Sequence, residues 1–329
     1  MIDLTQEDIM KNWGVDNSDN PLVSIKCMTY NHENYIAQCI DGFLMQKTNF
    51  PFEILIHDDC STDKTESIVR DYEAKFPKII KGIYETENQW KKGCGAHHTK
   101  IDAAIKGKYI AICEGDDYWT DENKLQMQVD FLENNPEYGM CYTKAKPYNQ
   151  DEQKFHKKTI GSSFHDFKDL LVNGNRVPTL TTVYRKDLLD KYQQEIQPSN
   201  KGWLMGDYPM WLYFSHECKV KFFDIVTAVY RVLENSASHS VDVEKVIKFK
   251  ICFRDIQHFF CERYGISASL LLNEEIKISQ YFNYALYRNV KYYLKNINEL
   301  KMKYKFIVFI SYIPVIRFVL SYIKNKKYW

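Results

Sequence analysis

The chain has 329 residues, enough for one large α/β domain with an appendage or for two modest domains. With 44 Lys and Arg against 43 Asp and Glu, its net charge of +1 excludes a protein that grips nucleic acid through overall basicity. Nine cysteines without a C-x-x-C pair argue for reduced thiols serving as small core residues and against a disulfide framework. The start, MIDLTQEDIMKNW, is acidic and polar, unlike a signal peptide, and a cytosolic compartment is expected.

Residues 1–20 form an N-terminal extension without site residues. It is a short helix with Thr5 as N-cap and Asp8 three residues on, then a polar turn rich in Asn and Asp. Pro21 opens the main pattern. Leu22–Met28 has the make-up of a strand, and Thr29-Tyr30-Asn31-His32 turns into a helix whose Ile36, Ile40, Phe43 and Leu44 share a face. Phe52–His57 is a second strand, ending in Asp58-Asp59-Cys60-Ser61-Thr62-Asp63. Thr62 or Asp63 caps the next helix, where Ile68, Val69, Tyr72 and Phe76 recur at helical spacing. A third strand spans Ile79–Tyr84, a loop Glu85–Gly95 follows, and a helix ends near Gly107. Tyr109–Cys113 is apolar throughout, as a parallel strand buried on both faces should be. Leu125, Val129 and Leu132 mark the helix after it. Strand–helix alternation at this rhythm predicts a doubly wound, mostly parallel sheet.

The strand Tyr109–Cys113 runs straight into Glu114, Asp116 and Asp117, with Gly115 loosening the backbone between them. In an open α/β sheet, ligands bind at the carboxyl ends of strands. Three acids within four residues repel one another unless a cation sits among them. A hard divalent ion with oxygen ligands and bound phosphate suits them; the competing reading is a solvated acidic turn. No G-x-G-x-x-G follows the first strand and no P-loop occurs, so neither of those phosphate grips is available. Carboxylates stand after two strands instead, at Asp58/Asp59 and at the Glu114 cluster. A nucleotide held by acidic loops needs a metal to offset its phosphates.

The segments VSIKCMTYNHENYI, EILIHDDCSTDKT, GKYIAICEGDDYW and KLQMQVDFLENNPE follow one another as in the family 2 glycosyltransferases, and Pro21 to Ser240 resembles these inverting enzymes. The resemblance implies a GT-A (nucleotide-diphospho-sugar transferase) catalytic domain over 21–240. It implies hexosyl transfer from a nucleotide diphosphate sugar, UDP foremost, to a glycan or lipid-linked glycan, as in O-antigen or capsule polysaccharide assembly. Tyr30 would lie against the nucleobase, and Asp59 would accept a hydrogen bond from base or ribose with Asp58 beside it. Asp116 would lie near ribose and metal, and Asp117 would be the principal ligand of Mn2+ or Mg2+. Glu114 stands where the family usually has Asp, and would reach a metal through water. The family's Arg-Asn pair before Gly107 is replaced by His98-Thr99 with Lys100 next, so His98 or Lys100 is expected to supply the cation at the diphosphate. His239, in the loop after the strand Ala228–Val232, corresponds to a His near the metal. The absence of Q-x-x-R-W implies one sugar per acceptor.

LMGDYPMWLYF (Leu204–Phe214) resembles the family's acceptor-side motif. Asp207 would be the base that takes the acceptor hydroxyl's proton, with Trp119, Trp203 and Tyr208 on the acceptor side. Preceding Pro209 and an apolar run is also the signature of a helix N-cap, where the helix dipole would depress a carboxyl pKa. Both roles are compatible. Val177–Arg185 reads as a strand that turns Thr181, Thr182 and Arg185 toward the sugar.

Residues 241–329 are expected to be a helical C-terminal region. Seven of the basic residues and none of the acidic ones lie between Lys301 and Trp329. The charge-free run Phe306–Ile316 is too short to cross a bilayer. Basic and aromatic ends around an apolar middle suit a helix in the headgroup layer, so residues 301–329 are expected to touch the inner face of the cell membrane peripherally. Packing on the catalytic domain is the competing reading. Two other function classes stay open: a nucleotidyltransferase that makes the activated sugar, whose Gly-rich basic loop MTYNHEN does not resemble, and a non-catalytic glycan- or nucleotide-binding module.

Overall fold

The computed structural model describes residues 4–14, 20–92, 99–233 and 243–271. The chain falls into two compact units, Met1–Val232 and Leu233–Trp329. The first begins with α1 (Gln6–Met10), closed by the expected capping box between Thr5 and Asp8. Leu4, Ile9, Met10 and Trp13 pack on the core, and the Trp13 indole N–H donates to Thr48 Oγ1 at 3.1 Å.

The alternating pattern follows: β1 (Val23–Thr29), α2 (Ile36–Leu44), β2 (Phe52–Asp58), α3 (Thr65–Lys75), β3 (Ile80–Tyr84), α4 (Thr99–Ala104) and β4 (Tyr109–Ile112). The strands order β3-β2-β1-β4, all parallel. β1 has β2 on one side and β4 on the other, which makes a topological switch point at their carboxyl ends. β1 and β4 are buried almost throughout, as their apolar runs require.

Past β4 the sheet turns mixed. The further elements are β5 (Tyr118–Trp119), α5 (Lys124–Asn134), β6 (Tyr138–Asn149), β7 (Lys154–Phe155), α6 (Phe167–Asn173), β8 (Val183–Arg185), α7 (Lys186–Ile196), α8 (Asp207–Glu217) and β9 (Lys219–Val232). β8 joins β4 and β6 antiparallel, and β9 pairs parallel with β6 and antiparallel with β5. Only Val183–Arg185 of the expected strand Val177–Arg185 is extended; Thr179–Thr181 is a 3-10 turn. Thr181 and Thr182 are fully buried, and Arg185 donates to the carbonyls of Leu132 and Tyr138. These three brace the sheet and do not face a sugar.

The sheet curls until β5 meets α2. A Cβ on Gly42 of α2 would come within 2.9 Å of the Trp119 carbonyl, so only glycine allows that approach. Phe43 packs edge-on against Trp119, with ring centroids 4.8 Å apart. The curl brings the end of β9 beside the loops that follow β1 and β4. In the second unit, α9 (Val243–Arg263) buries Cys252, Ile256, Phe260 and Cys261. Among the described residues no helix is long and apolar enough to cross a membrane; the stretch 301–329 lies outside them.

Candidate active site

The loops after β1 and β2 are bonded into one ledge. Asn31 donates its backbone N–H to Ser61 Oγ at 2.9 Å, and its Oδ1 accepts the Thr62 N–H at 2.8 Å. His32 N–H reaches Thr65 Oγ1 at 2.8 Å, and Glu33 N–H reaches Asp63 Oδ2 at 3.1 Å. Asn31 (φ 56°) and Cys60 (φ 61°) both adopt the left-handed conformation that non-glycine residues rarely take, one in each loop. Tyr30 stands at the lip of the ledge, 38% exposed, where a planar ligand can stack on it.

The acids of the ledge are largely occupied. Asp63 Oδ1 accepts the N–H of Thr65 at 2.9 Å, but Lys64 and not Thr62 or Asp63 holds the N-cap of α3; burial opposes the bonds to Asp63, which still hold its carboxyl below the usual range. Asp58 accepts both the N–H and the hydroxyl of Ser61; burial nevertheless pushes its carboxyl up. Asp59 is buried, and its two oxygens accept the N–H groups of Gln89 at 2.6 Å and Trp90 at 3.0 Å. A ligand at Asp59 would share it with that loop. Lys100, expected near the diphosphate, is ion-paired with the buried Glu85, whose other oxygen lies 3.2 Å from His57 Nε2. His98 and His239 lie outside the described residues.

The acidic loop after β4 differs. Asp117 is 2% exposed, and burial, then the charges of Asp116 and Glu114, push its carboxyl well up. Its Oδ1 accepts the backbone N–H of Arg231 at 2.7 Å. Burial, then Asp116 and Asp207, push the Glu114 carboxyl up to about 7. Glu114 therefore feels charge from both the acidic loop and the start of α8. Gly115 lets the loop settle on the end of β1: a Cβ there would meet Thr29 Oγ1 at 2.8 Å and His32 Nδ1 at 3.0 Å. Both of those atoms are buried without a hydrogen-bond partner.

Asp207 opens α8, directly after Gly206. Its Oδ2 accepts from Asn175 Nδ2 and Thr179 Oγ1, each at 3.1 Å. The helix dipole was expected to depress this carboxyl. Burial is the larger influence and raises it, against the hydrogen bonds from Tyr208 N–H and Thr179. A carboxylate held this way takes a proton more readily.

The aromatic residues expected on the acceptor side are core instead. Trp119 is 1% exposed and donates its indole N–H to the Leu180 carbonyl at 2.7 Å. Tyr208 is fully buried, its hydroxyl 3.2 Å from the carbonyls of Leu170 and Leu171, and Trp203 is buried as well. Exposed here, three residues before Asp207, is Leu204. Two cations near the acids escaped the sequence reading. Lys26 sits inside β1, ion-paired with Asp102 and close enough to Glu114 to oppose its rise; Arg231 is the penultimate residue of β9. Their only signal is a charge inside an apolar strand.

The family model for glycosyl transferase family 2 matches residues 24–193, more than half of the chain. The chain belongs to glycosyl transferase family 2. A putative teichuronic acid biosynthesis glycosyltransferase, TuaG of Bacillus subtilis, is 34% identical over 123 residues, 37% of this chain and 44% of that protein. An uncharacterized protein of Mycobacterium tuberculosis is 38% identical over 165 residues, 50% of this chain and 47% of that one. The chain thus spans about half the length of these curated relatives. Among solved structures, S. aureus TarS in complex with UDP-GlcNAc superposes with a TM-score of 0.52 at 19% identity, over 80% of each chain. The mannosyltransferase PcManGT of Pyrobaculum calidifontis, in complex with GDP-Man and Mn2+, gives 0.50 at 16% identity, over 91% of this chain and 86% of that one. These likenesses establish the GT-A fold.

Family 2 enzymes commonly use a divalent metal. Among the described residues no three His, Cys, Asp or Glu side chains form a metal cage. The acidic loop still fits a hard cation, because burial and then like charge push its crowded carboxyls up and a cation would offset both. One or two carboxylates completed by phosphate oxygens is how Mg2+ is commonly held.

Proposed function

We propose that this chain is a metal-dependent, inverting glycosyltransferase. It moves one sugar from a nucleotide diphosphate sugar, UDP foremost, to a hydroxyl of a glycan or lipid-linked glycan in cell-surface polysaccharide assembly. The observation that carries this reading is Glu114, which feels the charges of both Asp116 and Asp207. It thereby links an acidic loop at a strand's end to a separate carboxylate with a raised pKa.

Tyr30 and the ledge after β1 and β2 would hold the nucleoside, with Asp58 and Asp59 below it. Asp117, helped by Asp116, would hold the Mn2+ or Mg2+, whose charge offsets that of the departing diphosphate. The acceptor hydroxyl oxygen attacks the anomeric carbon from the face opposite the diphosphate. A new C–O bond forms as the bond to the phosphate oxygen breaks, and the electron pair leaves with the nucleotide. Asp207 takes the hydroxyl proton. One carboxylate suffices, where a glycosidase needs two flanking the bond.

TuaG's putative part in teichuronic acid biosynthesis supports the polysaccharide context, and the TarS and PcManGT complexes support a nucleotide sugar donor. The basic, aromatic stretch 301–329 would bring the enzyme to the cytosolic membrane face, where a lipid-linked acceptor lies. Thermal shift with UDP, GDP and their sugars, each with and without Mn2+, tests the donor assignment. Stabilisation that needs both Mn2+ and one nucleotide is expected; a panel with no shift would overturn it.

A further inference from the structure

Arg231 has no role in the scheme above, yet three elements converge on it. Its side chain is 4% exposed. Its backbone N–H donates to Asp117 Oδ1 at 2.7 Å, and its guanidinium donates to the Asp116 carbonyl and to Gln38 Oε1 on α2. The guanidinium also lies over the rings of Tyr118, at 4.5 Å, and Tyr35, at 5.1 Å. A planar, permanently charged fork can make two directed bonds and stack on rings at once; lysine cannot. Its guanidinium bonds run to the backbone of Asp116 and to Gln38, so of the two carboxylates only Asp117 is engaged, through Oδ1 and by the backbone N–H alone.

Arg185 is the natural contrast. It too donates to two backbone carbonyls, of Tyr138 and Leu132, and lies 5.4 Å from the Tyr109 ring. Its place is the opposite end of β4, where Tyr109 pairs with it. It therefore braces the sheet far from the acidic loop.

We propose that Arg231 is a positioning residue that locks the Asp116 carbonyl and the Asp117 carboxylate to the start of α2. The two carboxylates are thereby set for a divalent cation and a nucleotide diphosphate before either arrives, a ligand assignment that rests on the glycosyl-transfer reading above. The locking itself does not depend on that assignment.

The test is hydrogen–deuterium exchange on the full chain without ligand, comparing wild type with Arg231→Lys, Gln38→Leu and Arg185→Lys. Exchange in residues 114–119 reports the bond from Asp117 N–H to the Glu114 carbonyl. Arg231→Lys is expected to speed that exchange more than tenfold. Gln38→Leu, at an exposed residue, removes one acceptor from a protein that still folds, and should speed it less but in the same direction. Arg185→Lys lowers the melting temperature and leaves that exchange within twofold of wild type. Titration with UDP in the presence of Mn2+ should then show at least tenfold weaker binding for Arg231→Lys than for Arg185→Lys. Unchanged exchange in Arg231→Lys, or equal acceleration by Arg185→Lys, would overturn the locking role. If wild type binds no nucleotide diphosphate, the donor assignment fails and the exchange arm still decides the lock.

Discussion

The loops after β2 and β4 both end strands in carboxylates, and they treat them in opposite ways. After β2, Asp58, Asp59 and Asp63 accept seven hydrogen bonds between them from nearby N–H and hydroxyl groups, counting Glu33, Ser61, Thr65, Gln89 and Trp90 as donors. After β4, Asp117 is buried and Glu114 half-buried; burial and neighbouring acids push both carboxyls up, and with Asp116 they have Arg231 and Lys26 as nearby cations. Acids that are bonded build the ledge; acids left short of donors keep their affinity for something that arrives from outside.

The largest effect should come from the acid that stands apart from both loops. Asp207→Asn is expected to lower transfer by about three orders of magnitude or more while nucleotide binding persists, as checked by single-turnover assays beside titration. Undiminished turnover would remove Asp207 as the base. Next is Glu114. With a folded pKa near 7 against 4.5, the metal-free protein binds an extra proton between those values, so its stability falls as pH rises from about 4.5 to about 7. Glu114→Gln should flatten that slope and recover at most about 3 kcal/mol at neutral pH, read from melts in EDTA. Mn2+ should flatten it likewise.

Lys124 extends the contrast to a base. It is fully buried with Nζ unbonded, 4.1 Å from the centre of the Trp119 ring, and burial lowers its pKa to about 7 against the weaker pull of Cys141, Cys113 and Asp121. The unfolded chain holds that proton up to about pH 10.5, so stability rises with pH from about 7 to about 10.5. Lys124→Met should raise stability at pH 7 by about 2 kcal/mol and remove this dependence in denaturant melts. The smallest effect sharpens the ledge. Asp63→Ala should cost about 1 kcal/mol, because it strips the bonds to Thr65 and Glu33, with little change in transfer. A gain in stability there would erase the distinction between the two loops.

Local chemistry made much of this legible in the sequence. The Thr5–Asp8 capping box, the apolar run of β4 and the spacing of Ile36, Ile40 and Phe43 each encode their structure within a few residues. The acidic loop was legible because three carboxyls so close in sequence remain close in space. What escaped depends on contacts distant along the chain. No local pattern says that Trp119 turns inward to the Leu180 carbonyl, or that Tyr208 points at Leu170. Asp207 stands where a helix dipole should depress its carboxyl, and only the packing around it reverses the sign. Arg231 and Lys26 were hidden for the same reason: one charge in a strand names no partner.

The curl of the sheet sets a timetable for synthesis. Asp116 meets the guanidinium that holds it 115 residues further along the chain. At about 5–20 residues per second, a ribosome needs roughly ten seconds to supply that distance. The parallel half can close on itself during this interval, since β1 to β4 lie earlier in the chain. A nascent protein halted before β9 would thus carry a well-formed ledge beside an unfastened acidic loop, and β9, when it emerges, supplies the guanidinium that fastens it.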